Sequence, residues 1–419
     1  MTNKVLDKAI HLIMEGNSEE GLALIKENQS SFTDDEKYNI AQYYMQLGLV
    51  NEAKSVLMEL LYLYPNESEL IVSLAEVHID LDEEDDAIEL LENLDAKDEA
   101  YPQSLMLLAD LYQSQGLFEV SERKLLEAKT ILQNEPIIDI ALGELYLSQG
   151  DYRRALPLFQ GAKDSSEIVE FPLDVRIAEC YSGTGNFEEA LPFYDKALQK
   201  ELNIDTLFQY GFTAFQAGYY KTAIEKLNEV KQIDFEYASL YLYLAKAYEH
   251  EGALEDSLRT AKEGLGVNEY NKELQLYAAK MALKLNHVEE AERLLREAIA
   301  LDPGYVEAAT TLTKLFLQVE RFEDVVECIQ ELEKFGEYDP RFDWDLARAK
   351  EGLEQYSDAL NHYRQAYTSY KDDISFLHDY AFFLYEEGRL QEAKPLFETL
   401  LQHDPTNTEL LDIYARMND

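Results

Sequence analysis

Cysteine is nearly missing from this chain of 419 residues: it has two, Cys180 and Cys328. They stand far apart, with no CxxC and no nearby histidine pair, which excludes a disulfide framework and offers no zinc-ligand spacing. Proline is sparse, 10 in all, and no Pro-, Gly- or Ser-rich stretch marks a linker, so the chain reads as one continuous body. Basic residues number 37 against 83 acidic ones, a formal net charge of -46 that repels phosphate backbones and anionic lipid and excludes nucleic acid as a main ligand. No apolar run reaches the length of a membrane span, so no membrane insertion is expected. Asp7 interrupts the amino-terminal segment before a signal-peptide core can form, so no export signal is expected and the chain is placed in the cytoplasm.

Catalytic signatures are missing too. There is no GxGxxG, GxxxxGK[ST], HExxH or GxSxG, so phosphate cradles, a zinc-protease helix and a nucleophile elbow are all absent, and neither enzyme activity nor a cofactor is expected. The seven histidines are scattered. The acidic run 80–86 imitates a calcium loop, but Asp85 stands where the sharp-turn glycine belongs and Leu91 at the twelfth ligand position. It reads instead as the start of a helix, whose amino end favours acidic residues.

What is present is a repeat. Hydrophobic residues make up 46% and aromatics 11%, enough to fill a core, yet the chain exceeds the roughly 250–300 residues one core can serve. A phrase of Gly followed five residues on by a small residue recurs, as in Gly48 to Ala53, Gly116 to Ser121, Gly150 to Ala155, Gly185 to Ala190, Gly218 to Ala223 and Gly388 to Ala393. Registering on it gives repeats starting near Thr2, Asp34, Ser68, Pro102, Pro136, Phe171, Ile204, Ala238, Lys272, Val306, Pro340 and Ile374. Position eight is Gly or Ala in all but Thr313, and position twenty is small in all but Val325. Two helices that cross closely need small residues on both sides of the crossing. Aromatics recur at position seventeen, as in Phe118, Tyr152, Phe187, Tyr220, Phe322 and Tyr356. Proline follows the second helix at Pro65, Pro303 and Pro405, where it stops helix continuation.

These residues resemble the tetratricopeptide repeat (TPR) family over essentially the whole chain. The resemblance implies an all-α fold, an α-solenoid of about twelve TPR hairpins over residues 1–407 forming a right-handed superhelix, with first helices lining the concave face. Residues 408–419 read as a capping helix, Leu410, Leu411, Ile413 and Tyr414 covering the last hairpin while Asp412, Arg416, Asn418 and Asp419 face water. The layout of uninterrupted repeats also resembles the YpiA-type cytoplasmic TPR proteins of Gram-positive bacteria.

In the TPR family ligands meet positions two, five, nine, twelve and thirteen of the first helix. Position nine here reads Glu76, Asp110, Glu144 and Glu179 in four consecutive repeats, then Phe212, then Lys246, Lys280, Lys314 and Arg348. Equivalent residues of neighbouring repeats stack side by side, so this column predicts an acidic ladder and a basic ladder inside one groove. Phe208, Phe212 and Phe215, spaced by four and three, share a helix face at the junction as candidate anchors. Trp344, Phe382 and Tyr385 form a similar cluster near the carboxyl end, and position five supplies an apolar floor through Tyr38, Val72, Met106, Ile140, Val175, Leu242 and Leu276. The family's carboxylate clamp, Lys at five with Asn at nine, occurs in no repeat, which disfavours a chaperone-tail receptor. The expected function is a non-enzymatic adaptor or scaffold that holds a protein or peptide partner, with an acidic segment on the basic ladder; self-association is compatible with it. The alternative is a peptide-sensing intracellular regulator.

Overall fold

The computed structural model describes residues 4–163 and 171–417. Among them the regular structure is helical throughout, 25 α-helices and one 3-10 turn, with no strand. The helices pair into twelve hairpins followed by the helix Thr408–Arg416. First helices begin at Asp34, Ser68, Pro136, Ile204, Lys272, Val306, Pro340 and Ile374, as the register predicts, and at Tyr101, Leu173 and Ser239 within two residues of it. The predicted start near Thr2 lies outside the described residues.

The chain divides into two compact units, Met1–Leu202 and Asn203–Asp419, each of six hairpins. The boundary is a short non-helical segment between the helices Phe187–Lys200 and Ile204–Gln216, where Glu201 is extended at φ -147° and Asn203 caps the next helix by accepting from the Thr206 amide.

The same packing rule builds both units. Every described residue at positions eight and twenty is buried, from Ala41 with Ala53 in the first unit to Ala381 with Ala393 in the second. The fit is tight: a Cβ on Gly143 would stand 2.6 Å from the Phe159 ring, and one on Gly211 2.8 Å from Leu227. Position-seventeen aromatics reach the next hairpin, where a Cβ on Gly183 would meet the Tyr152 ring and one on Gly352 the Phe322 ring, each within 2.5 Å. Such contacts join each hairpin to its neighbour, so the core runs as a continuous seam within each unit. Fully buried Phe159, Tyr194, Phe316, Tyr363 and Phe397 fill it, each contributing roughly 1.5–3 kcal/mol of apolar burial.

First helices end in one way. Position fifteen of every hairpin has positive φ, supplied by glycine at eight places and by Asp82, Asn286, Glu320 and Glu354 at the others. This left-handed residue turns the chain into the second helix and closes the helix end. The amino end of Asp34–Gln46 carries a full capping box, Thr33 with Glu36. At the carboxyl end Leu410 is buried and Ile413, Tyr414 and Met417 pack on the last hairpin, whereas Leu411 is exposed, as are Asp412 and Arg416. Residues 418 and 419 lie outside the described chain. No helix among the described residues is long and apolar enough to cross a membrane.

Candidate partner-binding site

Within each unit the first helices of successive hairpins touch, Ser68–Asp80 with Tyr101–Ser114 in the first and Ile204–Gln216 with Ser239–His250 in the second. Position nine faces that contact, and in several hairpins its side chain meets position two or six of the next first helix. In the first unit the Gln42 amide donates to the Ser73 hydroxyl (3.0 Å), and the Gln103 amide to Glu76 (3.2 Å). Arg176 pairs through Nε with Glu144 at 2.7 Å and through Nη1 with Glu179, on its own helix, at 3.0 Å. Three members of the acidic ladder are therefore engaged. Asp110 is exposed and forms no ion pair among the described residues. Burial pushes the Glu76 and Glu144 carboxyls up from their ordinary range; in Glu144 the Arg176 charge opposes that rise without cancelling it.

The second unit follows the same geometry with other chemistry. Phe212 packs edge-on to Tyr243 of the next hairpin at 4.7 Å between centroids, Lys280 donates to Glu307 at 2.5 Å, and Arg348 stands 3.5 Å from Asp379. Lys246 and Lys314 form no ion pair among the described residues. Lys246 lies over the Tyr243 ring, 5.9 Å from its centroid. The neighbour of Lys314 at position six, Asp345, is fully buried and already accepts from Arg341 (3.0 Å) and the Thr313 hydroxyl (2.8 Å).

The three phenylalanines come together as one aromatic wall. Phe208 packs 6.3 Å from Phe212, 5.0 Å from Tyr237 and 6.3 Å from Tyr243, and Phe215 lies 5.9 Å from both Tyr243 and His250. Phe208 is nearly closed off at 8% exposure, while Phe212, Phe215 and Tyr243 keep part of their surface in solvent. Its place at the foot of the wall follows from Tyr237, which the next hairpin lays over it.

Trp344 does not stand in the open as the sequence suggests. It is 4% exposed, wedged against Phe376 and Tyr370, with the Arg341 guanidinium 3.8 Å above its ring and its indole N–H donating to Asp379. Phe382 and Tyr385 are half-buried, Phe382 stacked on His378 at 4.2 Å. Beside them Arg348, His378, Phe382 and Glu351 line an open pocket of about 460 Å³. The apolar floor is uneven: Val72, Ile140 and Leu276 are buried, while Tyr38, Met106, Val175 and Leu242 are partly open.

Two polar clusters lie apart from these faces. His78 meets Glu83 at 2.7 Å and Asp86 at 3.9 Å, with Lys54 on the same Glu83 carboxylate. Asp174, 3% exposed, is clasped by Lys163 and Lys200, whose ammonium groups overcome the upward push of burial and hold its carboxyl low. Both thiols are inert: burial pushes Cys180 up to about 12 and Cys328 up to about 11.

Sequence reasoning missed Arg176, Tyr243, Glu307 and Asp379. All four stand at positions two or six, so a reading of those columns against position nine of the preceding repeat would have found them.

Family profiles match the repeats directly. YpiA-like tetratricopeptide repeats match residues 113–167, YpiA-like C-terminal tetratricopeptide repeats match 340–407, and the general tetratricopeptide repeat matches 37–67 and 175–199. The chain is 47% identical over 418 residues to the TPR repeat-containing protein YpiA of Bacillus subtilis (strain 168), covering 100% of this chain and 99% of that protein. Among solved structures, one chain of the APC/C hetero-tetramer Cut9-Hcn1 is similar over 98% of this chain and 95% of its own, at 12% identity and a TM-score of 0.39. MamA (MSR-1 C2) is similar over 40% of this chain and 97% of its own, at 17% identity and a TM-score of 0.37. TPR proteins generally mediate protein–protein interaction and typically act as non-catalytic scaffolds. Hairpin register, helix content and full-length identity agree: the chain belongs to the YpiA-like family of tetratricopeptide-repeat proteins.

Proposed function

We propose that the protein is a non-enzymatic adaptor whose second unit holds an acidic segment of a partner protein on its first-helix face. The observation that carries the reading is the half-open aromatic wall of Phe212, Phe215 and Tyr243 with Lys246 beside it. Partly exposed aromatics flanked by a cation have the composition of a protein-binding anchor rather than of a solvated helix face. Further along the same column Lys314 is exposed and forms no ion pair among the described residues, in a chain of net charge -46 where such cations on one face supply attraction found in few other places. A partner with net positive charge would be drawn to the acidic remainder of the surface; an acidic segment has this face as its complement.

The test uses full-length protein as bait in an extract of its native host, with Phe212→Ala/Lys314→Glu as the control bait. The variant is expected to lose captured proteins that wild type retains, by at least about tenfold in recovery, while far-UV circular dichroism stays unchanged. Equal recovery on both baits would place the binding surface elsewhere.

A further inference from the structure

Not every cation of the basic column is free to meet a partner. Lys280 is committed to Glu307 and Arg348 to Asp379, each joining one hairpin to the next. Lys246 and Lys314 belong to the alternate hairpins and form no ion pair among the described residues. For Lys246, position six of the next hairpin is Tyr277, whose hydroxyl bonds to Glu249 and Ser257, and position two is Glu273, with which no ion pair forms. For Lys314, Asp345 is fully buried and accepts from Arg341 and Thr313, so the Lys314 charge acts on it without forming an ion pair among the described residues, and Arg341, at position two, is a cation. Between the two free lysines Glu307 balances Lys280 and Glu249 is paired with Lys284, while the Glu273 carboxylate is exposed.

We infer that Lys246 and Lys314, rather than Lys280 or Arg348, read the partner, by taking two carboxylates of one acidic segment. They lie on first helices two hairpins apart. At the usual spacing of packed helices this sets the carboxylates on the order of 20 Å apart. The stretch between them faces those pairs and the exposed Glu273 carboxylate, so it needs no negative charge of its own. At the Lys246 end the aromatic wall of Phe212 and Tyr243 calls for an apolar side chain next to the first carboxylate. A free ammonium can reorient onto a ligand carboxylate at no internal loss, whereas a paired one must first give up its own acid; that difference makes the alternation a specificity device.

The inference rests on the second unit's first-helix face being the binding surface, and the experiment separates the two. Full-length protein is titrated into a fluorescein-labelled oligoglutamate peptide long enough to reach both lysines, with uncharged oligoglutamine of equal length as the control probe and anisotropy as the readout. Lys246→Gln/Lys314→Gln is expected to weaken oligoglutamate binding about a hundredfold. Lys280→Gln/Glu307→Gln, which removes a cation with its internal partner, is expected to stay within about threefold of wild type. Lys221→Gln/Lys262→Gln, with the same loss of net charge on second helices, is also expected to stay within about threefold. If the first variant binds like wild type, or the second loses as much as the first, the assignment of the readers is wrong while the surface stands. If wild type binds oligoglutamate no better than the uncharged oligoglutamine, or the second-helix variant loses as much as the first, the surface itself is wrong and the inference falls with it.

Discussion

The two units are built from one hairpin and differ in what they place at position nine and what meets it. In the first unit a polar or anionic side chain meets a polar or cationic one of the next hairpin: the Gln42 amide donates to Ser73, Glu76 accepts from Gln103, and Glu144 pairs with Arg176. In the second an aromatic or a cation meets an aromatic or an acid: Phe212 with Tyr243, Lys280 with Glu307, Arg348 with Asp379. The geometry is kept while the chemistry is exchanged on both sides of the contact together. A column of like charge along a repeat array is therefore weak testimony to a ligand until its internal partners are known, and the members that form no ion pair among the described residues, Asp110, Lys246 and Lys314, carry the information.

The largest expected effect tests whether the shared core is equally tight in both units. Phe159→Ala, in the first, and Phe397→Ala, in the second, each remove a fully buried ring and are expected to cost about 3–5 kcal/mol by urea unfolding. Phe159 closes on Gly143, so little can collapse into the space it leaves. A loss below about 2 kcal/mol in only one of the two variants would mean that the units do not share one packing density.

A smaller effect probes the engaged acidic pair. Arg176→Ala leaves Glu144 and Glu179 as half-buried anions with their shared cation gone. After discounting for solvent screening the expected loss at pH 7 is about 1 kcal/mol. The Glu144 carboxyl already lies above its ordinary range because of burial, and loss of Arg176 raises it further. A folded-state value above the unfolded one, about 4.3, means that the penalty applies where Glu144 is ionised and is relieved as pH falls through the raised folded value. The variant's deficit is expected to shrink as pH falls from 7 towards the unfolded carboxyl value. A deficit that is constant over that interval would assign it to lost packing of the Arg176 stem instead.

Much of the fold was legible because close helix crossing admits only small residues, and positions eight and twenty announce it without reference to anything distant. The hairpin starts followed to within two residues. The two-unit division was not legible, since the boundary around Leu202 is too short to leave a compositional trace. At the candidate site the column of position nine could be read, but not its engagement, which depends on residues one hairpin away. Trp344 shows the same limit. Its place in the register is that of a ligand-facing residue, yet Arg341 lies on its ring and Phe376 of the next hairpin closes against it. Phe208 is likewise covered by Tyr237. Helical register assigns a side chain to a face; only the neighbouring hairpin decides whether that face is open.

The smallest expected effect lies in the turns and concerns backbone strain. Position fifteen is left-handed in all hairpins, but the first unit fills it with glycine everywhere except Asp82, whereas the second uses Asn286, Glu320 and Glu354 alongside three glycines. Asparagine and aspartate tolerate this region; glutamate has no comparable local hydrogen bond to offer and bears the left-handed penalty of roughly 1–2 kcal/mol. Glycine removes that penalty but adds back about 0.5–1 kcal/mol of unfolded-state entropy. Glu320→Gly and Glu354→Gly, at φ 56° and 60°, are therefore each expected to stabilise the protein by about 0.5–1 kcal/mol, read as a rise in the urea midpoint at unchanged slope. The reverse exchange in the first unit, Gly150→Glu at φ 72°, has open space around the new Cβ and should destabilise by a similar amount through backbone strain alone. If the second-unit glycines bring no gain while the first-unit glutamate brings its loss, Glu320 and Glu354 must be held by interactions that offset their strain, and the turns of the two units would then differ in more than the residue at position fifteen.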